Sequence, residues 1–587
     1  MRNRRRIVLT ALMCACALFT TGCATIPTSG PVVSEPRGIV DEGQSGVTIK
    51  VDPPIKGAPP AVIIRGFLTA MASFESDFAA AREYLTQSAS RTWHPANSDV
   101  LIYDSSASPR ITGDQETVSE VYMEGPGIGY LHPDGSFVGW DGPVWQHDFG
   151  MVKEDGEWRI SSPPDGLALS QYLFTQSFTR IDAYFFPVSG HTLVPDPRYV
   201  RAGTWDRTQA ARLVLQGPSE WLGAIAGHRS WEDMSLAGDV TLSQGLADVS
   251  LLCEGVTPSA EDATQMAIEM AATMRDISGV DRVGLRCDGV RVPLAAPMHD
   301  NVVPISVISA YDASPGAGPG ALVVSAQGVL ASLVAGIMAP LPSDWGTTQR
   351  SIHSFAVSSD EIAMVTDEGL VIGPRLAAPG EPVIEGTGFL RPQIDADGNI
   401  WAVVCDENGL HITVVRGDDQ IDVDTSALGP MTVTGFQVSP DGYRILLVRQ
   451  IEALEGPRME VGIALITYDG SAPSAIISWK PVPLTWEGLS VKSIVDLAWM
   501  GPSSFLVLAS TGTGTPPGVF YTNIYGLDMD DRGMPRASWE PVEMAVHPST
   551  TTPQIIVMDA NGTLWSYQDS YQWTRVGTGV SSIAFRE

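Results

Sequence analysis

The chain of 587 residues sets 67 Asp and Glu against 36 Lys and Arg, a formal net charge of −31. That balance argues against nucleic acid, which needs a basic face, and against broad adhesion to anionic lipid. An acidic surface favours solubility and names no partner by itself. The length asks for three or four domains at about 150 residues each.

The first stretch carries Arg2, Arg4, Arg5 and Arg6, an apolar run over residues 7–19, and Thr20-Thr21-Gly22-Cys23. A basic head with a short apolar run is a secretory leader, too short to span a bilayer permanently. The segment resembles a bacterial lipobox, in which the cysteine becomes the mature N-terminus and its sulfur carries a lipid; Thr20 stands where that pattern usually has Leu. The resemblance makes residues 1–22 the signal peptide and Cys23 the palmitate-bearing lipidation site. Residues 24–58 are Pro, Gly, Ser and acid without periodicity, expected to form a flexible tether from Cys23.

Residues 59–177 read as an α+β domain. Pro59 and Pro60 suit a helix start, and Val62, Ile63, Phe67, Met71 and Phe74 follow at helical spacing. Asp77 is expected to cap a second helix carrying Phe78, Ala81 and Leu85. Strands are predicted over 100–103, 118–123, 136–140, 144–152 and 157–160, with hairpin turns at Asp134-Gly135 and Asp155-Gly156. Helices followed by a curved antiparallel sheet are similar to the cone-shaped cystatin-like folds. Trp93, Tyr103, Trp145 and their aromatic neighbours are expected to fill the concave face.

Residues 178–297 form a second α+β unit. A strand is predicted over 180–186, a helix over 206–215 ended by Gly217, and a hairpin around residues 243–246. A long helix begins at Ser259 with Asp262 three residues on, a capping-box variant. Its stripe of Met266, Met270 and Met274 is expected in the core. Cys253 and Cys287 each close an apolar run, so a disulfide in an oxidising compartment and a pair of buried free thiols both remain open. Cys405 reads as a strand core residue. The order Ala183-Tyr-Phe-Phe-Pro187, Leu193-Val-Pro-Asp-Pro-Arg198 and Ala210-Ala-Arg-Leu-Val-Leu-Gln-Gly-Pro218 resembles the GerMN domain of extracytoplasmic lipoproteins, whose role is thought to be binding.

Residues 298–587 are strand-rich. Five similar units recur at a spacing of about 35–60 residues, the range of propeller blades. A sixth would close the ring from both ends, residues 581–585 joining residues 322–332, giving an all-β propeller of about six blades. Asp395-Ala-Asp-Gly-Asn399 begins like a calcium loop but lacks its terminal Glu; with Ser439-Pro-Asp-Gly442 it reads as a hairpin turn. There is no G-x-S-x-G, H-E-x-x-H or Walker loop. No catalytic residue, metal ligand or cofactor site is assigned, and the expectation is a protein that is not an enzyme.

Lipobox, GerMN-like segment and propeller in this order resemble the actinobacterial LpqB lipoproteins, with Ala24-Thr-Ile-Pro-Thr-Ser-Gly-Pro31 and Arg65-Gly-Phe-Leu-Thr-Ala-Met-Ala72 as further matches. The resemblance implies a lipoprotein on the outer face of the cell membrane. It also implies association with the extracytoplasmic domain of a sensor histidine kinase, MtrB of the MtrA–MtrB two-component system, in envelope homeostasis and division. A receptor for an envelope glycan or small ligand is the alternative, and a propeller hydrolase the third.

Overall fold

The computed structural model describes residues 52–586, apart from 75, 96–97, 113–119, 141, 143, 228–230, 232, 314–319, 453–455, 487–488, 513, 528, 536–538 and 548–552. The leader, Cys23 and most of the tether lie outside the described residues.

The first helix, Pro60–Met71, starts at the paired prolines and buries Ile63, Ile64, Phe67, Leu68 and Met71. Val62 lies on its open side, so the buried stripe sits one residue over from the expected one. Asp77 does not cap the next helix. Asp77 and Phe78 adopt left-handed backbone angles, and the Asp77 carboxylate accepts from Arg82 instead. That helix is only Ala79–Arg82, without Leu85.

The sheet of this part is divided. Val100–Tyr103 pairs antiparallel with Gly127–Leu131 but parallel with Leu167–Ser170. Ser108–Thr112, Glu120–Gly125 and Trp145–Asp148 form a second sheet, and Met151–Glu154 with Glu157–Ile160 a separate hairpin. The expected strand over 144–152 breaks because Gly150 has positive φ, which ends one strand and lets the next join a different sheet. The Asp155-Gly156 turn has φ of 51° and 82°, the two positive values of a type I′ turn. Trp93, Tyr103 and Trp145 are buried in the core.

The middle part opens with a hairpin, Phe178–Phe185 against Val194–Arg201, paired without a break. Asp206 caps the helix Arg207–Gln216 by accepting from the Gln209 amide, and Gly217 ends it. Leu246–Leu252 and Arg282–Cys287 run parallel, and the helix Ala260–Met274 connects them. Ser259 accepts from the Asp262 amide at its start, and Met266, Met270 and Met274 are buried. The Phe186 and Tyr184 amides donate to Glu269 and Thr273 of this helix, sewing the hairpin to it. Cys253 and Cys287, at the ends of neighbouring strands, are joined by a disulfide with Cα atoms 5.7 Å apart.

The C-terminal part is a propeller of six four-stranded sheets. Its innermost strands are Ile352–Val357, Gln393–Ile394, Thr432–Val438, Ser493–Gly501, Pro541–His547 and Val580–Phe585. Val580–Phe585 pairs antiparallel with Ala321–Ser325, so one blade takes strands from both ends of the region and closes the ring. Closure removes the open sheet edges that a row of blades would expose. Cys405 is only half-buried, because its strand runs outward there beside Asp406; its sulfur accepts from the Val433 amide. Ser504–Ser510 and Gly518–Asn523 are neighbouring strands of one blade.

One apolar core runs from the first part into the propeller, including Phe67, Phe149 and Phe174 on one side and Trp499, Phe505 and Tyr525 on the other. A second brings Phe185, Val194 and Leu222 of the middle part against Tyr443 and Leu465.

Candidate functional site: a three-way junction and the propeller axis

The hairpin strand Val194–Arg201 is buried along almost its whole length, and Asp196 and Arg198 are 2% and 1% exposed. Buried charges persist only when paired and hydrogen-bonded. Arg198 donates to Asp196 at 2.7 Å, to the Gly217 carbonyl at 3.1 Å and to the Asp134 carbonyl at 2.8 Å. The last contact reaches into the first part of the chain. Asp196 also accepts from the amide and hydroxyl of Ser219. Burial opposes charge on Arg198, but the Asp196 carboxylate outweighs it and holds the guanidinium above its ordinary pKa.

The propeller grips the same strand. Arg444, fully buried, pairs with Asp441 and donates to the Pro195 carbonyl at 3.3 Å. Tyr525 donates to the Pro197 carbonyl at 2.8 Å, and its ring lies 5.5 Å from Phe137 and 6.1 Å from Tyr199. Proline carbonyls suit this role, since a proline has no N–H to satisfy alongside its acceptor. Gly135 carries φ of 82°, and a Cβ there would sit 2.8 Å from the Tyr199 carbonyl. Ser503 donates to Asp182, and Trp221 donates to the Ser478 carbonyl. The Lys480 ammonium lies 3.8 Å from the centre of the Trp221 ring and 4.7 Å from that of Tyr525. Burial pushes its pKa down to about 7, against the pull of Asp196.

At the propeller axis the inner strands enclose a cavity of about 130 Å³, lined by residues from every blade. Toward the strand starts, Arg391 lines it. Arg391 reaches across the axis to pair with Glu543 three blades away and lies 3.5 Å from Asp496. Ser582 and the Ile583 amide also donate to Glu543. Burial raises the Glu543 carboxyl above its ordinary pKa, with Arg391 pulling the other way. Asp496 is further held by the Met544 amide at 2.8 Å. Both axial carboxylates are therefore bound to one guanidinium and to backbone donors, an arrangement that closes the ring rather than poising an acid–base pair. Among the described residues no group of three or more His, Cys, Asp and Glu could hold a metal ion.

Both turns read from the sequence are turns. Asp395 accepts from the Asp397 and Asn399 amides, the Asn399 side chain and the Trp401 indole, which occupies both of its oxygens. Ser439-Pro-Asp-Gly442 turns as expected, but it also supplies Asp441 to the junction. Of the sequence-assigned sites, Cys23 lies outside the described residues and the Cys253–Cys287 pair belongs to neither cluster. The junction and axial charges went unassigned. Their one signal was a charge interrupting an apolar strand, as Asp496 does in Ser493–Gly501 and Glu543 in Pro541–His547.

Among the described residues no helix is long and apolar enough to cross a membrane. Two family models match the chain: "Lipoprotein LpqB, N-terminal domain" over residues 53–175 and "Lipoprotein LpqB beta-propeller domain" over residues 328–583. Lipoprotein LpqB of Cutibacterium acnes is 26% identical, covering 100% of this chain and 99% of the relative. Lipoprotein LpqB of Nocardia farcinica is 28% identical, covering 85% of each. Among solved structures, virginiamycin B lyase from Staphylococcus aureus is similar over 40% of this chain and 86% of that one, at 10% identity and a TM-score of 0.28. Two family models in the observed order, with relatives aligned end to end, place this chain in the LpqB lipoprotein family.

Proposed function

We propose that this protein is a non-catalytic adaptor, held by a lipid on Cys23 at the extracytoplasmic face of the cell membrane. Its partner is the outer domain of a two-component sensor kinase of the MtrA–MtrB kind, in envelope homeostasis and division. The observation that supports this is the fusion of three parts into one body by a shared core and by the strand Val194–Arg201. An adaptor shifts a sensor's signalling equilibrium only by binding its states unequally. A surface already ordered before contact spends less of its interaction free energy on ordering. The middle part, in this reading, is a GerMN domain whose Val-Pro-Asp-Pro-Arg strand serves as the docking bar for the propeller.

The test is capture of the full-length, detergent-solubilised protein on an immobilised sensor ectodomain with no small ligand added. The reading expects saturable binding in the micromolar range or tighter; absence of binding refutes it. For the anchor, a single acyl chain gives only marginal membrane residence, and a mature lipoprotein cysteine carries at least two. Cys23→Ala is expected to abolish palmitate labelling and to leave the chain uncleaved or shed; label persisting in this variant contradicts the anchor.

A further inference from the structure

We propose that the axial cavity of the propeller is a binding site for an uncharged, hydroxyl-bearing ring, a pyranose sugar. The inference rests on the cavity alone and stands or falls apart from the adaptor reading.

The cavity lies among the inner strands of the six blades. Arg391 is among its lining residues, and the cavity of about 130 Å³ has room for several water molecules. Of the two lining guanidiniums, Arg391 is already shared by Glu543 and Asp496, and Arg586 stands near His547. An anion would find Arg391 already paired and Asp395 in the same wall, and a cation would meet Arg391 and Arg586. A neutral occupant is the one whose burial leaves no charge uncompensated.

The walls are mostly apolar, with a few polar side chains between. Phe355, Trp499 and Met544 are buried around the cavity, and such faces accept the C–H side of a sugar ring. Gln393, 5% exposed, accepts from the Val438 amide and donates to the Gln437 side-chain oxygen. These bonds fix the Gln437 carboxamide. Gln437 lines the cavity, and with its oxygen taken by Gln393 its carboxamide nitrogen is the donor left for a ligand oxygen. A purely apolar occupant would leave that donor unpaired. At the mouth stands His547, whose ring nitrogens hydrogen-bond to nothing among the described residues. Burial and Arg586 hold its imidazole below the ordinary pKa, so at neutral pH it accepts a hydrogen bond from a hydroxyl. A donor inside, an acceptor at the rim and an aromatic wall between them match a ring with hydroxyls on its edge and C–H groups on its face.

Trp499 provides the readout. The full-length protein in detergent is titrated with glucose and N-acetylglucosamine, followed by tryptophan fluorescence and by saturation transfer to the sugar protons. Saturable binding of at least one of the two at millimolar concentration is expected. Gln437→Leu should weaken it by about tenfold or more. Ala396→Trp, at an exposed lining position of the mouth, should block it while leaving thermal unfolding unchanged, so the test survives if Gln437→Leu misfolds. No binding of either sugar, or binding undiminished in Ala396→Trp, overturns the proposal.

Discussion

The junction and the axis both bury arginine among carboxylates, yet they differ in what surrounds the charge. At the junction, Arg198 and Arg444 also donate to carbonyls of Asp134, Gly217 and Pro195, contributed by separate parts of the chain. At the axis, Arg391 faces Glu543 and Asp496 beside an open cavity. The first arrangement joins parts that already share a core. The second closes a ring and leaves space beside it. Buried ion pairs add little net stability compared with apolar residues, but breaking one is costly. Both clusters therefore specify arrangement: one sets how the parts dock, the other how the blades close.

The largest effect should come at the junction. Arg444→Met leaves Asp441 buried without its cation, and the expected loss is about 4 kcal/mol in urea unfolding. Adding Asp441→Leu should recover part of it. A loss no greater than that of an exposed arginine would erase the distinction between the two regions.

Next is the axis. Arg391→Met should cost about 3 kcal/mol at pH 8 and clearly less at pH 5. The Glu543 carboxyl already titrates above its ordinary range, and losing the cation raises it further. Its cost is absent below the unfolded pKa, grows as pH rises toward the folded pKa and levels off above it. Urea midpoints at the two pH values check this, and equal losses would show that Arg391 does not govern Glu543.

The smallest effect is a gain. The Lys480 amine titrates near 10.5 when unfolded and near 7 in place. Between those values the unfolded chain binds more protons, so stability rises with pH across the interval. Lys480→Met should flatten that slope and stabilise the protein at pH 7 by on the order of 1 kcal/mol. A slope unchanged from pH 7 to 10 would assign it to other groups.

The propeller was legible because each blade repeats one local pattern and because the apolar run near residue 583 had no partner except the run near residue 322. The Ser259 cap was legible because a cap is local, one side chain and one amide three residues on. Asp77 failed as a cap for an equally local reason, a left-handed backbone that sequence does not display. The division of the first sheet depends on Gly150, whose positive φ is one of several conformations open to glycine. The clusters stayed hidden for a different reason. Arg198 meets Asp134, Arg444 meets Pro195, and Arg391 meets Glu543 across long sequence separations. A single sequence has no local mark for such pairs. Val-Pro-Asp-Pro-Arg could be recognised as a motif, but its task emerged only when the propeller was seen against it.

The account turns on the three parts acting as one body. Differential scanning calorimetry of the full-length protein in detergent tests this directly. A single transition, with calorimetric and van't Hoff enthalpies equal, is expected of parts that share a core and a clamp. Separate transitions for the propeller and the preceding parts, in the unmutated chain at neutral pH, would contradict it.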